Sequence, residues 1–177
     1  MRMSGKLVFI GGVNGVGKTT LASLLAPSIA FTHLTASRLI RPHLPVGTPA
    51  HAQNIADLSF RQTCLLTSLQ KQNMANIVLD GHYTIQTQAD GVQLMPARDF
   101  KAIKPHLLVL LRDEPAHIFA RLTKRDGLAL PLEAIAAHQA REQAHAIDIS
   151  AELAVPLMVL TPSAQSERLI RAAILAI

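Results

Sequence analysis

Short apolar runs alternate with longer amphipathic stretches along this chain of 177 residues. Most of the runs contain no polar side chain and are bounded by turn or cap residues, which indicates strands that are buried on both faces. The predicted strands are Leu7–Ile10, Phe31–Leu34, Ile77–Leu79, Leu107–Leu111 and Val155–Leu160, of which the second has the weakest pattern. Strands that alternate with helices favour a parallel sheet covered on both sides. The pattern therefore predicts a three-layer α/β fold, in which a five-stranded parallel sheet carries helices on both faces.

The stretches between these runs have the spacing of helices. The predicted helices are Lys18–Ala26, Ala50–Asn73, Glu114–Arg125, Leu132–Ile149 and Ser166–Ile177. The first is expected to stop before Pro27, because a proline disfavours helical geometry in the residue that precedes it. Asp113 is expected to be the N-cap of the third, and Pro115 is tolerated in the first turn of that helix.

The last two helices have a predicted inward face. Their inward residues are Leu132, Ile135, Ala136, Ala140, Ala144 and Ile147 in one helix and Leu169, Ile170, Ile174 and Ile177 in the other. His138, Arg141 and His145 lie on the polar face of the first of these. Three segments are expected to be irregular, namely Pro42–Pro49, Thr84–Arg98 and Asp126–Pro131, and the second is long enough to suggest a functional loop. No linker or repeat divides the chain, so residues 1–177 are expected to form one domain.

A glycine-rich sequence joins the first predicted strand to the first predicted helix. From Gly12 to Thr19 it has the pattern G-x-x-x-x-G-K-T. Glycines let the backbone turn tightly with its N–H groups pointing inward, and the helix start adds unpaired N–H groups and a positive dipole end. Lys18 can reach the β- and γ-phosphates of a nucleotide, and the Thr19 hydroxyl can bind Mg²⁺. The sequence therefore predicts a P-loop NTPase fold with an ATP and magnesium site at Gly12, Val13, Asn14, Gly15, Val16, Gly17, Lys18, Thr19 and Thr20.

A carboxylate ends the third predicted strand, in the sequence Ile77-Val-Leu-Asp80-Gly81. The carboxyl ends of the strands face the ligand crevice of a doubly wound sheet. Asp80 is therefore expected beside the magnesium shell, where it can hold a metal-bound water or accept a proton from an attacking hydroxyl. The sequence predicts catalytic roles for Lys18 and Asp80, and metal-binding roles for Thr19 and Asp80.

Basic side chains share one face of the helix that follows the fourth strand. Arg121, Lys124 and Arg125 lie at positions i, i+3 and i+4 and precede a short loop. Such a cluster can close over a triphosphate and stabilise the charge on the transferring phosphoryl group. Arg121 and Arg125 are therefore predicted to be catalytic, with a small lid at about 121–131.

Further arginines are candidates for the acceptor side. Arg141, in the next helix, can point back at the same site. Arg38 and Arg41 lie near the second strand, where they can bind a phosphate of the acceptor, and the acceptor region is expected at about 35–73.

Composition narrows the range of partners. The net charge of +5 suits an anionic partner such as a nucleotide or a nucleic acid. The basic residues are dispersed and aromatic residues make up 3% of the chain, so nucleic acid is not the expected partner.

Cys64 is alone, which excludes an internal disulfide. No stretch approaches the roughly 18 apolar residues of a membrane span and no signal peptide is evident, so a cytoplasmic location without membrane contact is expected.

These motifs together resemble those of the nucleoside monophosphate kinases, and the archaeal-type adenylate kinases most closely. The resemblance covers most of the chain and rests on Gly12–Thr19, Val78–Ile85, Arg121–Asp126 and Glu133–Arg141. It implies that the chain moves the γ-phosphoryl group of ATP to a small acceptor, most plausibly a nucleoside monophosphate. By the same resemblance, Arg121, Arg125 and Arg141 contact the γ-phosphate and Arg41 the acceptor phosphate. His82 stands where adenylate kinases more generally place an arginine, and it joins Arg38, Arg41 and Arg141 as an acceptor-binding residue.

Other functions remain open on the sequence alone. A P-loop ATPase module, or a kinase that acts on a non-nucleotide small molecule or a nucleic-acid 5′ end, has the same phosphate loop. A GTPase is less favoured. The sequence Thr123-Lys124-Arg125-Asp126 matches a T-K-x-D guanine signature, but it lies inside a predicted helix and not at a strand end.

Overall fold

The structure, a computed structural model, describes residues 5–43, 63–69, 76–87, 91–127 and 130–177. Its strands are β1 (Leu7–Gly11), β2 (Thr32–Thr35), β3 (Ile77–Asp80), β4 (Thr84–Thr87), β5 (Gly91–Leu94), β6 (Leu107–Leu111) and β7 (Leu157–Leu160). Its helices are α1 (Lys18–Ser28), α2 (Ala36–Ile40), α3 (63–69), α4 (Ala97–Ile103), α5 (Pro115–Asp126), α6 (Leu132–Leu153) and α7 (Ala164–Ala176). A short 3-10 turn, Arg41–His43, follows α2.

Five parallel strands form the central sheet in the order β2-β3-β1-β6-β7. Every residue of β1, β3 and β6 is buried, as continuous apolar runs require. The two faces of the sheet contribute to separate hydrophobic core clusters. Val8 and Ile10 belong to the cluster on the side of α1 and α7, and Leu7 and Phe9 belong to the cluster on the side of α4. The predicted five-stranded parallel α/β fold is confirmed.

The carboxyl ends of the strands meet at one edge of the sheet. The register pairs Ile10 with both Asp80 and Val109, and Asp80 in turn pairs with Thr35. The glycine loop after β1, the segment after β3 and the segment after β6 therefore lie side by side. This edge is where a doubly wound sheet binds its ligands.

Predicted boundaries differ from the structure at several elements, and α6, for example, continues past Ile149 to Leu153. Helix α1 continues through Pro27 to Ser28, because Pro27 lies in the last turn and the N–H groups of Ile29 and Phe31 satisfy the Ala26 carbonyl. The N-cap of α5 is Glu114 and not Asp113. Pro115 occupies the first turn of α5, as predicted.

The segment Thr84–Arg98, predicted to be irregular, contains regular structure. Strands β4 and β5 form an antiparallel hairpin in which Thr84 pairs with Leu94 and Thr87 with Gly91. Helix α4 begins immediately afterwards, at Ala97. The hairpin strands have four residues each, and such short pieces carry too little alternation to stand out in a sequence.

The buried face of α6 is not the apolar one that its sequence predicts. Of the residues predicted to face inward, Ile135 is buried, whereas Leu132, Ala136, Ala140, Ala144 and Ile147 are exposed. The buried face also carries polar residues, namely His138, Gln139, Glu142 and His145. Helix α7 shows a smaller difference, since Ile170 and Ile174 face inward as predicted while Leu169 and Ile177 are exposed. Of the predicted helix Ala50–Asn73, only 63–69 belongs to the described residues, and it is helical. None of the helices in the described part of the chain combines the length and apolar character that a membrane crossing requires.

Candidate active site

The glycine loop between β1 and α1 contains three glycines with a positive φ, namely Gly12, Gly15 and Gly17. Gly12 has a φ of 143°, and a Cβ there would lie 2.7 Å from the Leu111 carbonyl oxygen. Gly17, with a φ of 106°, directly precedes the first residue of α1. The loop therefore opens onto the N-terminal end of a helix, where free N–H groups and the helix dipole favour an anion.

Lys18 begins α1 with its side chain buried inside this loop. Its ammonium donates hydrogen bonds to the carbonyl oxygens of Gly12 at 2.7 Å and Val13 at 2.9 Å. Burial lowers the pKa of Lys18 from 10.5 to about 8, although the carboxylates of Glu142 and Asp80 act in the opposite direction. A polyphosphate would supply the counter-charge that this desolvated ammonium lacks.

His82 lies beside Lys18, two residues after the end of β3. Its Nε2 is 3.3 Å from Lys18 Nζ and 3.0 Å from Asn14 Oδ1 of the glycine loop. Burial and the positive charge of Lys18 lower the pKa of His82 well below 6.5, so the ring is neutral at neutral pH. His82 is thus a hydrogen-bonding group at the loop and not a cation.

Asp80 ends β3 and is held from β2. Its Oδ2 accepts hydrogen bonds from His33 Nε2 at 2.6 Å and from Thr35 Oγ1 at 3.1 Å, and Ser23 Oγ lies 3.1 Å from His33 Nδ1. Within the described residues, no hydrogen bond reaches Oδ1. The carboxylate is therefore oriented through one oxygen, with the other left for a ligand.

The residues present fit a magnesium ion. Mg²⁺ prefers oxygen ligands and binds proteins through one or two carboxylates, with substrate phosphates and retained water completing its shell. The free oxygen of Asp80 and the exposed hydroxyls of Thr19 and Thr20 at the start of α1 are groups of this kind. Thr19 and Asp80 are the residues that would hold the ion.

Helix α6 supplies a second buried carboxylate, which sequence reasoning missed. Glu142 is 1% exposed, and its Oε1 accepts a hydrogen bond from the Tyr83 N–H at 3.2 Å. Burial raises the pKa of Glu142 from 4.5 to about 7, against the opposing effect of the Lys18 ammonium. One turn earlier, His138 Nε2 lies 3.0 Å from Thr84 Oγ1, and burial lowers the pKa of His138 to about 4.

Gln139 connects α6 to the segment after β6. Its side-chain amide donates to the Asp113 carbonyl at 2.9 Å and accepts from the Asp113 N–H at 3.1 Å. Asp113 in turn forms an ion pair with Arg121, whose guanidinium donates to the Gly15 carbonyl at 3.0 Å. Burial would raise the pKa of Asp113, but hydrogen bonds from Arg121 and His117 outweigh it and lower that pKa. Arg121 is therefore held against the outer side of the glycine loop.

The remaining predicted basic residues lie on the surface. Arg125 pairs with Asp126 at 2.6 Å, and its charge is close enough to contribute to the lowered pKa of Lys18. Arg141 is exposed on α6, near enough to His138 to lower its pKa. Arg38 and Arg41 are exposed, and within the described residues they form no hydrogen bond with the glycine loop.

The structure thus brings together most of the predicted site and adds to it. Lys18, Asp80, His82 and Arg121 surround the glycine loop. Residues His33, Thr35, Asp113, Gln139 and Glu142 were not predicted from the sequence. A signal for Gln139 and Glu142 was present, because they lie three residues apart on the face of α6 that also carries His138 and His145.

Nucleotide affinity should depend on pH through Lys18. In the free protein this ammonium loses its proton near pH 8, whereas a bound polyphosphate would hold the proton. We therefore expect the affinity for magnesium ADP to be level below that pH and to fall about tenfold per pH unit above it. Calorimetry across this range checks the slope. A Lys18→Met variant should bind magnesium ADP more weakly, and its affinity should not fall above this pH. The same fall in that variant would contradict the role given to Lys18.

The chain is similar to known proteins in sequence. A family model described as an AAA domain matches residues 11–135, which include the glycine loop, Asp80 and α5. An adenylate kinase from Methanoculleus marisnigri is 28% identical over 153 residues, which cover 77% of this chain and 79% of that protein.

Two solved structures share the fold. A gluconokinase from Sinorhizobium meliloti 1021 has a TM-score of 0.55 and 15% identity, over 99% of this chain and 95% of that one. A shikimate kinase from Acinetobacter baumannii, in complex with shikimate, has a TM-score of 0.62 and 17% identity, over 98% of this chain and 92% of that one. At these identities the likeness concerns the fold alone.

Proposed function

The chain belongs to the AAA domain family and is a kinase of the P-loop type, and we propose that it transfers the γ-phosphoryl group of ATP to a small-molecule acceptor. The observation that carries this proposal is the Lys18 ammonium, which lies buried in a glycine loop. Among the described residues, two backbone carbonyls and the neutral His82 imidazole are the groups in hydrogen-bonding range of it. A buried cation at the end of a helix dipole is a site for polyphosphate.

Each residue of the site has a role in this reaction. The loop N–H groups and Lys18 bind and orient the β- and γ-phosphates, and magnesium, when bound at Thr19 and Asp80, neutralises phosphate charge. Arg121, held by Asp113, supplies positive charge beside the loop. Asp80, fixed by His33 and Thr35, accepts the proton of the attacking group. Catalysis of this kind is mainly positioning and electrostatic stabilisation.

The lid and acceptor regions are part of the proposal. We assign a small lid to about 121–131, of which residues 128 and 129 lie outside the described residues. Its closure would bring Arg125, near the end of α5, to the γ-phosphate beside Arg121, which already contacts the loop. The acceptor region is assigned to about 35–73 within one domain of residues 1–177. Residues 44–62 and 70–73 of that region lie outside the described residues.

Two classes of acceptor have support. A nucleoside monophosphate is favoured by the sequence similarity to an adenylate kinase, with Arg38, Arg41 and Arg141 available to bind its phosphate. A molecule that carries hydroxyl groups but no phosphate is favoured by the buried carboxylate of Glu142. Both belong to the same reaction, because each presents an oxygen that attacks the γ-phosphorus.

A coupled assay of ADP release tests the function. With magnesium ATP and a suitable acceptor we expect turnover on the order of 1–100 s⁻¹, well above the release without acceptor. The panel should include monophosphates, nucleosides, sugars and a 5′-hydroxyl oligonucleotide, with GTP compared to ATP as donor. ADP release that no acceptor changes would indicate an ATPase module, and tighter retention of GTP than ATP would revive the GTPase interpretation.

A further inference from the structure

We propose that the acceptor is a small molecule that carries hydroxyl groups and no phosphate of its own, and that the Glu142 carboxylate binds one of those hydroxyls. This inference rests on the proposed kinase function. It concerns the buried carboxyl group of Glu142, which helix α6 places against the segment after β3 and near Lys18.

The first observation is an unsatisfied acceptor atom. Oε1 of Glu142 accepts from the Tyr83 N–H, and Thr84 lies close enough to lower the pKa of the carboxyl, but Oε2 is buried and has no partner at hydrogen-bonding distance within the described residues. A buried polar atom without a partner is costly, and native sites with such atoms commonly have a functional explanation. A hydroxyl group of a ligand would donate the missing hydrogen bond.

The second observation is the charge of the surroundings. Asp80 is 2% exposed and Glu142 1%, so two carboxylates are buried on this side of the loop. His138 adds no positive charge, since burial lowers its pKa to about 4. Lys18 is the buried lysine or arginine among the described residues, and the proposed function commits it to the nucleotide.

Because the proposed function commits Asp80 to magnesium, a monophosphate acceptor would bring its dianion up to the buried Glu142 carboxylate. Like charges in a partly desolvated site repel strongly, and such repulsion is how sites exclude a competing ligand. The arginines that would have to offset it, Arg38, Arg41 and Arg141, are exposed to solvent. An uncharged hydroxyl compound brings no such repulsion and donates to that carboxylate instead.

Phosphoryl transfer from ATP to such an acceptor needs no further reagent. The acceptor oxygen forms a bond to the γ-phosphorus while the bond from that phosphorus to the β–γ bridging oxygen breaks. ADP leaves, and the hydroxyl proton passes to the Asp80 carboxylate. Glu142 binds and orients the acceptor, and Thr84 and His138 provide a further polar pair at 3.0 Å beside it.

Matched pairs of acceptors test the inference. The pairs are adenosine and AMP, cytidine and CMP, thymidine and dTMP, and glycerol and glycerol 3-phosphate, each with magnesium ATP at about pH 8, where Glu142 is ionised. We expect an unphosphorylated member to be turned over with kcat/KM at least about tenfold above that of its phosphorylated partner. Preferred turnover of a phosphorylated member overturns the inference and leaves the kinase function standing. A failure to bind magnesium ATP overturns both.

A conservative variant provides the second arm. Glu142→Gln keeps the size of the side chain and an oxygen for the Tyr83 N–H, but removes the charge. We consider the kcat/KM of the unphosphorylated acceptor divided by that of its phosphorylated partner, for the preferred pair. In Glu142→Gln this ratio should fall by about tenfold, a change that general loosening of the fold would not produce. Glu152→Gln, on the exposed end of the same helix, is the control and should leave the ratio unchanged. An unchanged ratio in Glu142→Gln overturns the inference.

Discussion

Replacing Lys18 with methionine is expected to reduce phosphoryl transfer by about 1,000-fold or more, because the variant loses the cation that neutralises charge on the transferring group. The loss should appear in kcat as well as in nucleotide affinity. The ammonium is buried within hydrogen-bonding distance of two loop carbonyls, so it is already in place before any nucleotide arrives. ADP release under saturating magnesium ATP and acceptor measures the effect.

The fold should survive this change. Methionine has the length of the lysine stem, and Glu142, left without its counter-charge, can take up a proton because its pKa is already about 7. The melting temperature should therefore stay within about 5 °C of the parent value. Lys101→Met removes an exposed lysine that pairs with Glu152 and serves as the matched control. A Lys18→Met enzyme that keeps a tenth of its activity would refute the assignment of Lys18.

Replacing Asp80 with asparagine is the second large expected effect. The amide keeps the shape of the side chain and can still accept from Thr35, but it has no negative charge for magnesium and is a poor proton acceptor. We expect kcat to fall by about 100- to 10,000-fold, the usual contribution of a general base. The magnesium concentration needed for half-maximal rate should rise as well. Rates measured across a magnesium titration separate the two effects.

Asp148→Asn, the same change at an exposed position of α6, is the control and should behave as the parent enzyme. Asp80 pairs with His33 at 2.6 Å, so a His33→Gln variant adds a check on positioning. If the activity depends on how His33 orients Asp80, the His33→Gln variant should lose activity by a smaller factor than Asp80→Asn does. It should still bind nucleotide. An Asp80→Asn enzyme with unchanged kcat and magnesium dependence would exclude Asp80 from the reaction.

The strands and the phosphate loop could be predicted because their signals are local. A strand buried on both faces must be apolar at every position, and Leu107–Leu111 shows this directly in the sequence. The glycines of the loop are dictated by backbone geometry, as the close approach of Gly12 to the Leu111 carbonyl illustrates. Asp80 could be placed because the end of a parallel strand defines the edge to which it belongs.

Helix α6 could not be interpreted in this way. Its apolar stripe suggested one inward face, but the face toward the site carries Gln139 and Glu142. Polar side chains are buried when specific partners satisfy them, and those partners, the backbone groups of Asp113 and Tyr83, are 26 and 59 residues away in the chain. A pattern of hydrophobic periodicity contains no information about such partners.

By itself, the sequence determined the parallel α/β sheet, the phosphate loop and the strand-ending Asp80, since each depends on neighbouring residues and on backbone geometry. Only the tertiary structure decided that His33 orients Asp80, that Gln139 and Asp113 hold Arg121 at the loop, and that Glu142 is buried near Lys18. These contacts join residues from different strands and helices. Their hydrogen bonds and charges exist only once the chain has folded and excluded water from between them.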